Sequence, residues 1–203
     1  MTSTDDFVYT DLPPAVPALS AKAQAIADRG RWRLSSEPRT GALLRTLVAS
    51  KPGGLVLEVG SGVGVGSGWL LDGMDAEARL ITLEVHVRIS GVCREVLAED
   101  PRAEVITADA TEWLANYSGR PFDFVFVDTT ITKFDRRDLL WPHLADGALF
   151  VADDLLPGDT WAPDHPERVQ RFRREIMAEP DLLPVLVDWA SGLVIATYRR
   201  PSR

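Results

Sequence analysis

Cysteine is almost absent from this sequence: Cys93 is the only one among 203 residues, alongside three histidines. That scarcity excludes a disulfide framework and a cysteine-built zinc site. Neither is needed, because a chain of this length buries roughly 70% of its unfolded surface. There is no run of about 18 apolar residues, so no membrane span is expected. The opening residues MTSTDDFVYT lack the basic and apolar stretches of a secretory signal, which makes a cytoplasmic location the expectation. Positive charge is in deficit, with 22 Lys and Arg against 30 Asp and Glu and a net charge of -8. A surface of that sign does not suit a phosphate backbone, so nucleic acid is not an expected partner. With no internal repeat, low-complexity tract or linker, one domain is expected over 1–203, an arm and helix over 1–34 and a core over 35–203.

What is present is an alternation of apolar β-branched runs and helical stretches. The runs are LVLEVG at 55–60, RLITLEV at 79–85, AEVITAD at 103–109, FDFVFVD at 122–128 and GALFVAD at 147–153, with PVLVDWA and GLVIATYR near the C-terminus. Continuous apolar strands of this kind belong to a parallel sheet covered on both faces by helices. Helices are expected over 15–29 and 38–50, the second capped by Ser36, and crossover helices over 88–99 and 136–144. Only Ala190-Ser191-Gly192 separates the last two runs, too few residues for a parallel crossover, so they should form an antiparallel hairpin. Residues 1–14 show no period and read as an arm. In the run 168–174, Val169 and Phe172, with Ile176 beyond, form an inward stripe under a charged face.

The first strand runs directly into EVGSGVGVGSG, residues 58–68. Glycines at the carboxyl end of a strand let backbone approach a ligand closely, which points to a nucleotide-like ligand. The dinucleotide pattern, glycines at i, i+2 and i+5, fails from Gly60, Gly62 and Gly64 alike, which disfavours a nicotinamide-dependent reductase. The pattern that fits is acid-x-Gly-x-Gly-x-Gly at Glu58, Gly60, Gly62 and Gly64. Gly66 and Gly68 are expected to serve helix packing.

On these residues the sequence resembles class I S-adenosylmethionine-dependent methyltransferases, and among them the small O-methyltransferases of the catechol and caffeoyl-CoA type. The likeness runs from about Ser35 to Tyr198. It implies a Rossmann-like α/β fold, a mostly parallel seven-stranded sheet with an antiparallel last strand. It also implies that the loop of Glu58, Gly60, Ser61, Gly62 and Gly64 wraps the cofactor. Glu84 then stands where the family's ribose-binding acid sits, followed by Val85 and His86, and Asp109-Ala110 resembles the pair beside the adenine. A carboxylate at Glu84 could accept hydrogen bonds from both ribose hydroxyls. A homodimer through the N-terminal helices is a further implication.

Strands four and five end in Asp128 and in Asp153-Asp154. In cation-dependent relatives an Asp and an Asp-Asn pair at these places hold a divalent ion that binds two oxygens of a catechol-like substrate. Asp128, Asp153 and Asp154 are thus candidate ligands for Mg or another divalent cation, with Asp154 replacing the usual Asn. The family's lysine three residues after the first Asp is replaced by Ile131, and a lysine comes instead at 133. A stretch Asp128-Thr129 with Lys133-Phe134, and Asp153-Asp154-Leu155 with Pro157 and Trp161, is similar to a bacterial branch of methyltransferase-like proteins. Lys133 reads as a base or an electrostatic partner for the substrate oxygen, a neighbour that could balance the acids in place of an ion, or as a solvated loop lysine. The segment 155–166 holds three prolines and one glycine and is long for a loop without function. It would overhang the acids, bringing Trp161 as an aromatic wall and His165 as a titratable group, or leaving Trp161 as a loop anchor and His165 at the surface. His143 reads as structural and Cys93 as a buried small hydrophobe.

The function expected is O-methylation of a small-molecule hydroxyl. The alternatives are a metal-independent enzyme in which Lys133 or His165 handles the proton, with Asp128 beside them, and a cofactor-binding protein that transfers no methyl group.

Overall fold

The computed structural model describes residues 14–32, 34–158 and 161–200. Residues 1–13 of the expected arm lie outside these. Seven strands form one sheet in the order β3-β2-β1-β4-β5-β7-β6. These are β1 Leu55–Val59, β2 Arg79–Glu84, β3 Ala103–Thr107, β4 Phe122–Val127, β5 Leu144–Ala152, β6 Leu182–Val187 and β7 Leu193–Tyr198. Neighbours among β1 to β5 are parallel, and β7 runs antiparallel to both β5 and β6. The expected hairpin is therefore present, with β7 inserted between β5 and β6.

The apolar runs read as continuous because the sheet is buried on both faces. Along β4, Phe122, Val125 and Val127 join one core cluster, while Phe124 and Phe126 join the other. The second cluster lies under α1 Ala18–Gly30, α2 Pro38–Val48, α3 Val65–Gly73 and α4 Val87–Leu97. The first is closed by α7 His165–Met177, whose Val169, Phe172 and Ile176 are buried as expected. Between them in sequence come α5 Ala110–Asn116 and the short α6 Thr130–Phe134. Helix α1 buries only Ser20, Ala23 and Ala27, small residues that admit close approach to α3. A Cβ on Gly68 of α3 would lie 2.6 Å from the Ser20 nitrogen, so the packing role expected for Gly68 holds.

Two local expectations are corrected. Ser36 does not cap α2: the N-cap is Glu37, no side chain bonds the helix start, and Pro38 in the first turn leaves one fewer N–H to satisfy. The β4–β5 connection is not a helix over 136–144. After α6 come two 3-10 turns, Arg137–Leu139 and Trp141–His143, because Pro142 brings no N–H to an α-helical ladder. Cys93 and His143 fall where expected. Cys93 is buried, and the His143 ring packs edge-on against Tyr117 with Nε2 3.0 Å from the Leu114 carbonyl oxygen.

From β1 the chain builds outward to β2 and β3 on one side, and later to β4 and β5 on the other. The switch lies between β1 and β4, and in an open α/β sheet the ligand crevice opens there, beyond the carboxyl ends.

Candidate active site

The glycine loop leaves β1 at that switch. Gly60 has φ +99°, a conformation that side chains with a Cβ resist. Its N–H and that of Ser61 both donate to the Leu83 carbonyl, tying the loop to the end of β2. Beneath the loop Glu58 is 1% exposed, accepting hydrogen bonds from the Ser67 hydroxyl and, at 2.6 Å, the Thr82 hydroxyl. Burial pushes its carboxyl up to about 7, against the pull of those two bonds. A Cβ on Gly66 would stand 2.6 Å from its Oε1, so Gly66 admits this carboxyl rather than another helix. Glu58 is therefore a buried support of the loop, not a group on the cleft wall.

Glu84 ends β2 and is 8% exposed. Its Oε2 accepts the Gly62 N–H at 3.1 Å and its Oε1 the His86 N–H at 2.9 Å, so the loops after β1 and β2 hold it in one orientation. Asp109 caps α5, accepting from the backbone N–H of Thr111 and Glu112. Its bonds to Thr111 and Glu112 hold its carboxyl below the usual range.

Together these segments line a cleft of about 210 Å³, bounded by Gly60, Glu84, Val85, Asp109, Ala110 and Thr129. Of the other sequence candidates, His86 is exposed and serves Glu84 through its backbone, Ser61 is buried, and Gly62 and Gly64 shape the loop behind. Sequence reasoning missed the part played by Thr129 to Thr132, which form the opposite wall. The Thr129 hydroxyl is buried and has no hydrogen-bond partner among the described residues. A Cβ on Gly60 would come within 2.7 Å of the Thr129 methyl carbon and 2.9 Å of the Asp128 carbonyl oxygen. An oriented carboxylate, an orphaned hydroxyl and a backbone cradle closed to any Cβ are what an adenosine-bearing cofactor can use.

The acidic residues lie beyond the ends of β4 and β5. Asp128 is half-buried, and burial, with repulsion from Asp154 and Asp153, holds its carboxyl well above the ordinary range. Asp153 is 3% exposed and accepts bonds from the Ser191 hydroxyl and, at 2.8 Å, the Asp154 N–H. Burial raises its carboxyl to about 6. Asp154 has φ +62° and stays partly exposed. Ser191 gave no signal in the sequence beyond the hairpin turn; the antiparallel pairing of β5 with β7 brings it to Asp153.

Lys133 is not a solvated loop lysine. It sits on α6, 1% exposed, with Nζ donating to the Asp153 carbonyl at 2.6 Å and standing 3.9 Å from Asp154 Oδ2. Burial lowers its pKa while the three aspartates pull it back up. His165 is not a surface residue either. It is 6% exposed, lies 4.4 Å from the Trp161 ring and 5.2 Å from the Phe134 ring, and approaches the Asp154 carbonyl through Nε2 at 3.2 Å. A carbonyl only accepts, so Nε2 carries the proton. Burial lowers the imidazole pKa, which disfavours the charged ring.

The residues expected to hold a divalent ion are engaged as follows. Among the described residues no three His, Cys, Asp or Glu side chains are grouped to hold a metal. One Asp153 oxygen is taken by two donors, and the Lys133 ammonium already stands beside the acids.

Residues 57–155 match the methyltransferase domain family. A curated protein of Mycolicibacterium vanbaalenii, named "Putative O-methyltransferase", is 31% identical over 193 residues, 88% of this chain and 82% of that one. A protein of the same name from Mycobacterium sp. is 31% identical over 172 residues, covering 78% and 77%. Among solved structures, an O-methyltransferase of Bacillus cereus in complex with S-adenosylhomocysteine superposes with TM-score 0.78 at 20% identity, covering 97% of this chain and 94% of that one. The Streptomyces achromogenes O-methyltransferase TomG, bound to S-adenosylmethionine, gives 0.77 at 22% identity with 97% and 94% covered. At such identities the structural likeness carries the fold.

Proposed function

Because the chain belongs to the methyltransferase domain family as a relative of these O-methyltransferases, we propose that it moves the methyl group of S-adenosylmethionine onto a hydroxyl oxygen of a small molecule. The observation that carries this reading is the cleft wall at Glu84, a nearly buried carboxylate fixed by the N–H groups of Gly62 and His86. Carboxylate oxygens accept more than one bond each, so Glu84 can take the two ribose hydroxyls. Asp109 and Ala110 would border the adenine, and the Thr129 hydroxyl on the opposite wall could supply a further contact.

The bound cofactor supplies an electrophilic methyl group on a sulfonium. Everything else falls to the chain: holding the acceptor in line, keeping water out and receiving one proton. Asp128 receives it. With S-adenosylmethionine as methyl donor and S-adenosylhomocysteine as the leaving product, the acceptor's hydroxyl proton would pass to this carboxylate, whose raised pKa makes it a stronger base than an ordinary aspartate. Lys133 acts on this group through its charge, and His165 holds the neighbouring Asp154 carbonyl.

Glu84→Ala should weaken S-adenosylhomocysteine binding by about 1.5–3 kcal/mol in calorimetry, the range for hydrogen bonds to a charged group, while far-UV circular dichroism stays unchanged. Equal affinity in variant and wild type would remove Glu84 from the site.

A further inference from the structure

Three carboxylates converging at one sheet edge need a positive charge or protons. The resemblance places a divalent ion there; the structure places Lys133 there. Its ammonium is 1% exposed, 2.6 Å from the Asp153 carbonyl oxygen, 3.9 Å from Asp154 Oδ2 and 4.9 Å from the centre of the Phe134 ring. We infer that the Lys133 ammonium is the resident cation of this cluster, standing in the place of a divalent ion, so that the enzyme needs no metal and its acceptor needs no second, adjacent oxygen.

Four observations support this. A buried ammonium persists only where opposite charge compensates it, and all three aspartates act on its charge. The donor set for an ion is already spent in part, since Asp153 accepts from Ser191 and from the Asp154 N–H. A divalent ion holds its oxygens at about 2.0–2.6 Å, which would press it against a like charge a few ångströms away. The lysine is also fixed from both sides. The short helix α6 carries it, and on the far side of Asp154 the His165 ring, packed by Trp161, meets the Asp154 carbonyl.

The consequence for substrate rests on the methyltransferase reading. An ion chelates two neighbouring oxygens and so demands a vicinal pair, whereas a fixed ammonium behind the aspartates makes no such demand. Monophenols should therefore serve as well as catechols.

The test uses the purified full chain and Mn2+ as probe, followed by electron paramagnetic resonance of the free ion. Wild type should bind no Mn2+, and its melting midpoint should not move between EDTA and Mg2+. Lys133→Ala should melt earlier, recover with Mn2+ or ethylammonium but not with KCl at equal ionic strength, and bind Mn2+ saturably where wild type does not. Lys133→Met, which fills the space without charge, should melt earlier and recover with neither. Stoichiometric Mn2+ binding by wild type that Asp153→Asn abolishes would overturn the inference, and so would a folded Lys133→Ala that neither cation rescues. Should both Lys133 variants fail to fold, the wild-type titration decides alone: no binding supports the inference, and binding overturns it. Loss of turnover on monophenols and catechols alike would count against the methyltransferase reading instead, leaving the Mn2+ result readable.

Discussion

Asp128→Asn is expected to lower kcat by about 10²–10⁴, the usual contribution of a positioned general base, and to change S-adenosylhomocysteine affinity by only a few-fold. The asparagine keeps the shape of the end of β4 and removes the proton acceptor. A pH profile separates this from simple damage. In wild type the base must be ionised, and burial with repulsion from Asp154 and Asp153 holds its pKa above the ordinary carboxylate range. Turnover should therefore be full above that raised pKa and fall as pH drops through it. The variant should lack that limb, and its residual rate should climb with pH as the acceptor ionises unaided. Wild-type kcat in the variant would take Asp128 out of the proton path.

Gly60→Ala should destabilise the protein by about 2–4 kcal/mol and abolish measurable S-adenosylhomocysteine binding. Two costs add. At φ +99° an alanine pays left-handed strain, and its Cβ would sit 2.7 Å from the Thr129 methyl carbon and 2.9 Å from the Asp128 carbonyl oxygen. A methyl group can rotate away, but that carbonyl belongs to backbone at the end of β4, so relief requires shifting the strand end that carries Asp128. For a domain of this size the melting midpoint should drop by roughly 5–15 °C. Gly91→Ala is the control: it lies within α4 with nothing inside 4 Å of the added Cβ, and should stabilise by about 0.5–1 kcal/mol. A Gly60 variant that melts and binds like wild type would mean the loop is not the cradle described.

The parts of the molecule legible in its sequence are those where one periodic cause acts alone. Val56 faces one core cluster and Leu57 the other, so strands buried on both sides spell themselves as unbroken apolar runs. Three residues between the last two runs leave room only for a hairpin. The glycine loop and the acids after β2 and β3 follow from their places at strand ends. What stayed illegible depends on directions that spacing does not encode. The polar string around Lys133 reads as exposed loop, yet a single turn of helix turns its ammonium inward to a carbonyl 20 residues further on. Prolines around His165 read as surface, yet Trp161 and Phe134 enclose it. The spacing of Asp128, Asp153 and Asp154 brings three acids to one edge. It does not reveal that φ +62° at Asp154 turns its N–H onto Asp153 and occupies an oxygen a metal would need.

The central claim is that the cleft bounded by Gly60, Glu84 and Asp109 holds S-adenosylmethionine. Isothermal calorimetry of the purified chain against S-adenosylhomocysteine and, separately, NADH tests it most directly. The expected result is saturable, one-to-one heat with S-adenosylhomocysteine and none with NADH. Binding of NADH alone would contradict the account.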